Sequence, residues 1–479
     1  MKLFVTGLSV QLDHDAMQER RNISIFPKLD MLELGVLLLC FCIYMFWTLS
    51  FTTWNYGPDE YMRFDVPKFI VTNHALPKGP EESIRNQIWG VSYGFDIALP
   101  YLLEASAMWV VSQFTQEHIP LLIAARMVSV VSTLCTVYFA ILFSKKTMGK
   151  NPMRWSFVLM MALLPQIVFL ASYVNLDSFS LFAVMIILYG WIVCMEREWD
   201  NRSSMLLAVG LGLCLASYQF AYSYVLASVF LYITWHLINW KYRNFKLFIT
   251  TGILILGIAF VICGWRYIRN AMLFDGDFLA LNASKPYAEM YAMEEYKPSV
   301  RMTLEKSGMS MISMLRETSW ILSSWRSLIG VFGYMNILLP DSYYAIYKYM
   351  IIAGFVGILV KAVAKFLRSS KRGKFKNSML FSVWIAFASL VTIYLSAYNS
   401  WHTDYQPQGR YIITITPLLF LAVANGMDFW INLISFKTFG KEEITLNFKY
   451  LCVLIVFGFM LLSVFLGFYC CMSSFVYSR

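Results

Sequence analysis

The chain has 479 residues, of which 58% are hydrophobic, 17% aromatic and only 14% charged. Soluble domains carry about 25% charged residues, so this composition excludes an ordinary soluble enzyme and implies a polytopic membrane protein. The net charge of +10 does not indicate nucleic acid, because the lysines and arginines cluster in short segments between apolar runs, as in cytoplasmic loops. All nine cysteines fall within or beside apolar runs, so neither a disulfide framework nor a cysteine metal site is expected.

A span needs about 20 apolar residues. On that criterion the sequence predicts a cytoplasmic segment over 1–30 and then eleven spans. They lie near 31–53, 120–143, 155–172, 177–195, 203–220, 222–240, 248–265, 343–361, 378–397, 412–433 and 450–472. The uncharged block 203–240 is divided at Tyr218-Gln219-Phe220. Ala98 to Phe114 is apolar but holds Glu104 and follows Pro100. Counting it as a span would put most lysine clusters outside, so it is expected as an amphipathic or re-entrant helix. The fold class is therefore an all-α polytopic bundle, residues 31–472, with a short extracytoplasmic tail over 473–479. Two long outer loops, 54–119 and 266–342, carry short amphipathic helices. The basic segments, from Lys145 and Lys146 to Lys449, then face the cytoplasm.

The first outer loop opens with W-N-Y-G-P-D-E-Y-M-R-F-D, residues 54–65. Gly57-Pro58 breaks any helix and sets Asp59 and Glu60 where the chain leaves the bilayer. Two readings stay open: general-base chemistry on something the membrane delivers, or simple capping of the next helix. Arg63, Asp65, His74, Arg85 and Asp96 complete the polar inventory of this loop, with His74 a candidate second acid or base. Asp177 sits in a tight turn at the same predicted depth, as a cap or a functional group. Arg126 lies near the outer end of the second span, snorkelling or answering Asp59 or a lipid phosphate.

Arg266, Arg269 and Asn270 open the second loop within W-R-Y-I-R-N-A-M-L-F-D-G-D, 265–277. Positive charge on the outer face asks for an anion, and arginine pairs bidentately with phosphate; anchoring of the span is the alternative. Later comes H-T-D-Y-Q-P-Q-G-R-Y, 402–411, in which Gly409 permits close backbone approach beside Gln408, Arg410 and Tyr411. No Walker loop, Rossmann fingerprint, nucleophile elbow or H-E-x-x-H motif is present.

These blocks resemble the GT-C membrane glycosyltransferases, and among them the bacterial domain-of-unknown-function-2142 family. Pro58-Asp59-Glu60 looks like that family's Pro-Asp-Glu start, and residues 265–277 are similar to its Trp-x-x-Arg-Asn…Gly-Asp segment. S-L-I-G-V-F-G-Y-M-N-I-L-L-P, 327–340, looks like its Phe-Gly-Trp-Met-Asn…Pro segment, and Gln408-Gly409-Arg410-Tyr411 matches its Gln-Gly-Arg-Tyr. The chain departs from the pattern at Tyr218-Gln219-Phe220, where relatives often carry a lysine.

The resemblance implies a transferase in a bacterial plasma membrane that takes sugar from a polyprenyl-phosphate donor. The acceptor would be a cell-envelope glycan or glycolipid on the outer face. It implies Asp59 as base with Glu60 beside it, and arginines on the lipid phosphate. No cofactor is expected, although Asp59, Glu60 and Asp177 are carboxylates that a divalent metal would accept. A transporter or flippase for a lipid-linked sugar is the alternative, although transporters usually show paired repeats and broken helices near midplane. A scaffold subunit of an envelope-synthesis complex is a third.

Overall fold

The computed structural model describes residues 24–52, 56–240, 245–368, 377–438 and 442–477. Most of the expected N-terminal segment, Trp54 and Asn55, and much of the basic loop after Lys361 lie outside these residues. In chain order the helices are α1 Met31–Ser50, α2 Glu60–Asn73, α3 Leu99–Ser112, α4 His118–Met148, α5 Arg154–Leu163 and α6 Pro165–Ala171. They continue with α7 Asp177–Glu196, α8 Asn201–Leu215, α9 Tyr222–Ile238 and α10 Phe245–Leu273. The second loop contributes α11 Lys285–Tyr291, α12 Met311–Glu317 and α13 Trp320–Gly330. The rest is α14 Asp341–Arg368, α15 Asn377–His402, a 3-10 segment Gly409–Ile415, α16 Thr416–Thr438 and α17 Glu442–Tyr477. The fold is an all-α membrane bundle.

Each of the eleven expected spans is helical, but not all are long straight rods. Among the described residues nine helices are long and apolar enough to cross a membrane, or ten if a bent pair counts as one span. The bent pair is α5 and α6, which meet at 50°. Pro165 is the cause: it removes a helical donor and holds Leu164 extended, at ψ 125°. The eleventh, α8, is a 15-residue apolar helix. It is separated from α9 by a 3-10 turn at Gln219–Ala221. The segment containing Glu104 forms α3, only 14 residues long, and packs on α2 and α4.

The axis of the bundle is α7, apolar on all sides and almost wholly buried, as a helix surrounded by others must be. Its two ends differ in chemistry. At one end Lys146 pairs with Glu196 at 2.6 Å, and Glu33 takes Lys145 at 2.5 Å and Arg154 at 3.0 Å. The other end carries Asp177 and the two loops. There a small hairpin, Val331–Phe332 paired with Ile337–Leu338, interrupts the second loop. Phe332 is buried against Trp47 and Phe169, and the Val331 amide donates to Gln166 at 3.1 Å.

What joins the first loop to the bundle is a buried ion pair. Glu60 accepts Arg126 Nε at 2.7 Å and Nη2 at 2.8 Å, and the backbone amides of Tyr56 at 2.9 Å and Val174 at 3.1 Å. Arg126 also donates to the carbonyls of Thr48 and Phe51 at the end of α1. One pair thus ties α1, α2, α4 and the turn before α7 together. Removing one partner from such a pair strands a buried charge, at about 3–5 kcal/mol. Arg126→Met should lower the thermal unfolding temperature sharply in detergent, and Glu60→Leu added to it should recover much of the loss.

Candidate active site

Gly57 and Pro58 turn the chain sharply into α2. A Cβ on Gly57 would sit 2.4 Å from the Tyr173 ring, so only glycine lets the turn press against the wall of the bundle. Asp59 follows in the left-handed region, at φ 62°, a conformation that aspartate tolerates better than most residues. It occupies the N-cap position of α2, yet its side chain makes no capping hydrogen bond. The carboxylate turns instead to Arg410, accepting from Nη2 at 2.8 Å. The Asp59 side chain is therefore not a helix cap.

Asp59 remains reachable, with 35% of its side chain exposed against 2% for Arg410. Burial alone would push its carboxyl up, but the Arg410 and Arg63 guanidinium groups beside it hold it below the ordinary carboxylate range. It is ionised at neutral pH and able to accept a proton.

Arg410 is brought here by the 3-10 segment that precedes α16. A Cβ on Gly409 would lie 2.0 Å from the Leu328 backbone nitrogen, so the glycine allows this strand of chain to pass directly over α13. Arg410 also donates to the Pro58 carbonyl at 3.3 Å and the Tyr411 hydroxyl at 3.2 Å, while its Nε has no partner among the described residues. Tyr411 hydrogen-bonds Gln406 and stacks on Phe220, 4.7 Å between ring centres. Gln408 donates to Gln406 at 3.3 Å and leaves its own carbonyl oxygen buried and unpartnered among the described residues.

Asp177 starts the central helix, and one of its oxygens is buried with no partner among the described residues. Asn175 sets its position by bonding the carbonyls of Leu170 at 2.6 Å and Tyr173 at 2.7 Å and accepting the Ser178 amide at 3.0 Å. Asp59, Asp177, Arg410, Gln408 and Tyr411 therefore gather at one end of the bundle.

The remaining expected residues are engaged elsewhere. Glu60 and Arg126 saturate each other, so neither the catalytic role expected of Glu60 nor the phosphate contact expected of Arg126 fits their geometry. Arg266 grips Asp96 with two nitrogens and donates to the Leu215 and Ser217 carbonyls at 3.1 and 2.7 Å. Arg269 bonds the carbonyls of Pro77, Gly94 and Phe95. Asn270 joins Asp96 at 3.0 Å and the Phe278 carbonyl at 3.3 Å. These three residues clasp the two outer loops to each other and to α10. His74, at the far end of α2, lines an apolar groove of about 670 Å³ between α2 and α3, with Trp109 and Val110.

Sequence reasoning assigned no role to Arg63, which the structure places beside Asp59. Its guanidinium is buried, lies 4.6 Å over the Tyr93 ring and 5.7 Å over Tyr218, and reaches the Tyr101 hydroxyl at 3.3 Å. The spacing was the available signal: residues 59 and 63 share a helix face.

Glu60 is committed to Arg126, Asp59 faces two guanidinium groups, and no cluster of three acids, histidines or cysteines occurs among the described residues. All nine cysteines are free thiols.

No family profile matches the chain, and no curated protein matches it. Solved structures do. The chain is similar to the oligosaccharyltransferase AglB of Archaeoglobus fulgidus, solved with an inhibitory peptide and a dolichol-phosphate. The TM-score is 0.53 at 13% identity, over 91% of this chain and 55% of that one. Another AglB structure, with zinc and sulfate, matches at TM-score 0.52 and 14% identity, over 91% and 53%. ArnT of Cupriavidus metallidurans, bound to undecaprenyl phosphate, matches at TM-score 0.50 and 11% identity, over 91% and 76%. The fold is thus that of the GT-C membrane glycosyltransferases. The chain spans about half the length of the AglB structures it matches.

The close pass at Gly409 yields a direct test. Gly409→Ala should destabilise the protein by about 1–3 kcal/mol, the usual cost of overpacking, and disrupt the contact of Arg410 with Asp59. Gly458→Ala, where an added Cβ meets nothing within 4 Å, should leave thermal unfolding unchanged.

Proposed function

We propose that the protein is an inverting glycosyltransferase of the GT-C type that takes a sugar from a polyprenyl-phosphate donor. The acceptor is a hydroxyl of a cell-envelope glycan or glycolipid, and the site faces the outer side of a bacterial plasma membrane. The observation that carries this reading is the contact of Asp59 with Arg410, residues 351 apart in the chain. A partly exposed carboxylate and a buried guanidinium at one helix-bundle end are the two groups such a transfer needs.

The chemistry follows from their roles. The acceptor oxygen attacks the anomeric carbon from the face opposite the leaving group. Its proton passes to the Asp59 carboxylate, and the bond from the anomeric carbon to the lipid phosphate breaks with its electron pair on phosphate oxygen. The configuration is inverted. Arg410 meets the charge that gathers on the phosphate, where exclusion of water strengthens the interaction. A phosphate leaves without acid assistance, so one base suffices, unlike the paired carboxyls of a glycosidase.

In the resting protein Asp59 and Arg410 neutralise each other. A donor phosphate that takes Arg410 releases Asp59 to act as base. Asp177, almost fully buried, is less accessible than Asp59 and is not assigned the proton transfer. No step uses a metal, and the four motif blocks support a place in the domain-of-unknown-function-2142 branch. Confinement of these groups to one end of the bundle favours transfer over transport, which places its polar groups near midplane.

Purified protein with polyprenyl-phosphate sugars and envelope acceptors tests the reading. Asp59→Asn should cut transfer by about 10²–10⁴-fold while binding the donor lipid as well as, or better than, the parent protein. Arg410→Ala should weaken donor binding by about 1.5–3 kcal/mol, the value of a charge-assisted hydrogen bond. Normal turnover by Asp59→Asn removes the proposed base.

A further inference from the structure

Six arginines are buried among the described residues: Arg63, Arg126, Arg154, Arg197, Arg266 and Arg410. Five have a carboxylate within ion-pair distance, respectively Glu60 for Arg126, Glu33 for Arg154, Asp200 for Arg197, Asp96 for Arg266 and Asp59 for Arg410. Arg63 has no such pair among the described residues. Its polar contact is the Tyr101 hydroxyl at 3.3 Å, and its Nε is buried without a partner there. Asp59, beside Arg63, is ion-paired to Arg410, and Glu104 on α3 is fully buried with neither oxygen hydrogen-bonded among the described residues. Burial, only partly countered by Arg63, pushes the Glu104 carboxyl well above the ordinary range.

An unpaired buried cation is costly, and its surroundings here look prepared for an anion. Arg63 lies over Tyr93 and Tyr218, Arg410 lies 5.0 Å from the centre of the Tyr411 ring, and the rings of Tyr218 and Tyr411 are 6.3 Å apart. The two guanidinium groups therefore flank one aromatic platform. Each keeps a buried Nε with no partner among the described residues. Arg63 is also one helical turn beyond Asp59, its amide donating to the Asp59 carbonyl at 3.1 Å.

We infer that Arg63 is a second anion ligand of this site, so that a phosphate ester is held between Arg63 and Arg410 across the Tyr218 and Tyr411 rings. The identity of that ester as a polyprenyl phosphate rests on the function proposed above; the anion site itself does not. Arg63 meets the phosphate from the side of the first loop, and Arg410 from the side of α16. The arrangement supplies positive charge at the Tyr218 turn from a neighbouring helix, where the turn itself has none.

The test uses the full chain in detergent, with undecaprenyl phosphate, its uncharged alcohol and inorganic phosphate as probes. Arg63→Gln should weaken undecaprenyl phosphate by about tenfold or more, the loss expected of a charge-assisted contact, with affinity for the alcohol unchanged. Arg63→Lys should fall between. Inorganic phosphate should raise the Tm of the parent protein and not that of Arg63→Gln. Without any anion Arg63→Gln should melt no lower than the parent, because it removes an unpaired charge. If Arg63→Gln melts well below the parent yet binds undecaprenyl phosphate as tightly, Arg63 is structural and the inference falls. Unaltered phosphate affinity in Arg63→Gln, together with an inactive Asp59→Asn, overturns the anion ligand and spares the transferase. Phosphate binding through Arg63 in a protein that transfers no sugar does the reverse. A parent protein that binds no phosphate overturns both.

Discussion

The bidentate contact between Glu60 and Arg126 is the constraint on which the rest of the site depends. Two charges with no exposed surface persist at this depth only because each is fully met by hydrogen bonds. Glu60 spends its lone pairs on Arg126 and two backbone amides, and Arg126 reaches on to the carbonyls that end α1. The turn at Gly57-Pro58 is thereby pinned to three helices. Adjacent residues at a helix start point in different directions, so fixing Glu60 inward leaves Asp59 to face Arg410, partly exposed. Of two neighbouring acids, one is thus committed to the frame and the other stays partly exposed.

The same accounting sorts the arginines. A guanidinium whose donors are all engaged by the protein is part of the frame, and one with a donor to spare is available to a ligand. Arg266 belongs to the frame, since Asp96 and the Leu215 and Ser217 carbonyls engage all three of its nitrogens. The Arg269 contacts with the Pro77, Gly94 and Phe95 carbonyls fasten the first loop to the end of α10. Arg410 and Arg63 each have a nitrogen to spare. The likeness to AglB and ArnT fixes the fold in which this sorting takes place, and the charged groups themselves carry the functional argument.

Much of the bundle was legible in the sequence because apolar length is a strong signal. The break near Tyr218 was placed from length alone, and the short α3 from one acid and one proline. The bend at Pro165 was equally available, since proline ends the hydrogen-bond ladder wherever it falls inside a helix, yet a smooth run of apolar residues hides it. The hairpin at Val331–Leu338 has strands of two residues each, too short for an alternating pattern to register.

Of the site, Asp59 stood out for its place after the Gly57-Pro58 turn at the end of the first span, and Arg410 for the glycine before it. Partners were not legible. Asp96 lies 170 residues from Arg266, so nothing in the local sequence reveals that the arginine is already satisfied. Arg63 was passed over for the opposite reason: its interest lies in lacking an acid, which only the packed fold discloses.

The most direct measurement is an electron cryomicroscopy structure of the protein in nanodiscs loaded with undecaprenyl phosphate. The account predicts phosphate density against Arg410 and the Asp59 carboxylate detached from it. Phosphate seated at the Arg266–Arg269 clasp or at the basic end near Lys145, with Asp59 still bound to Arg410, would contradict it.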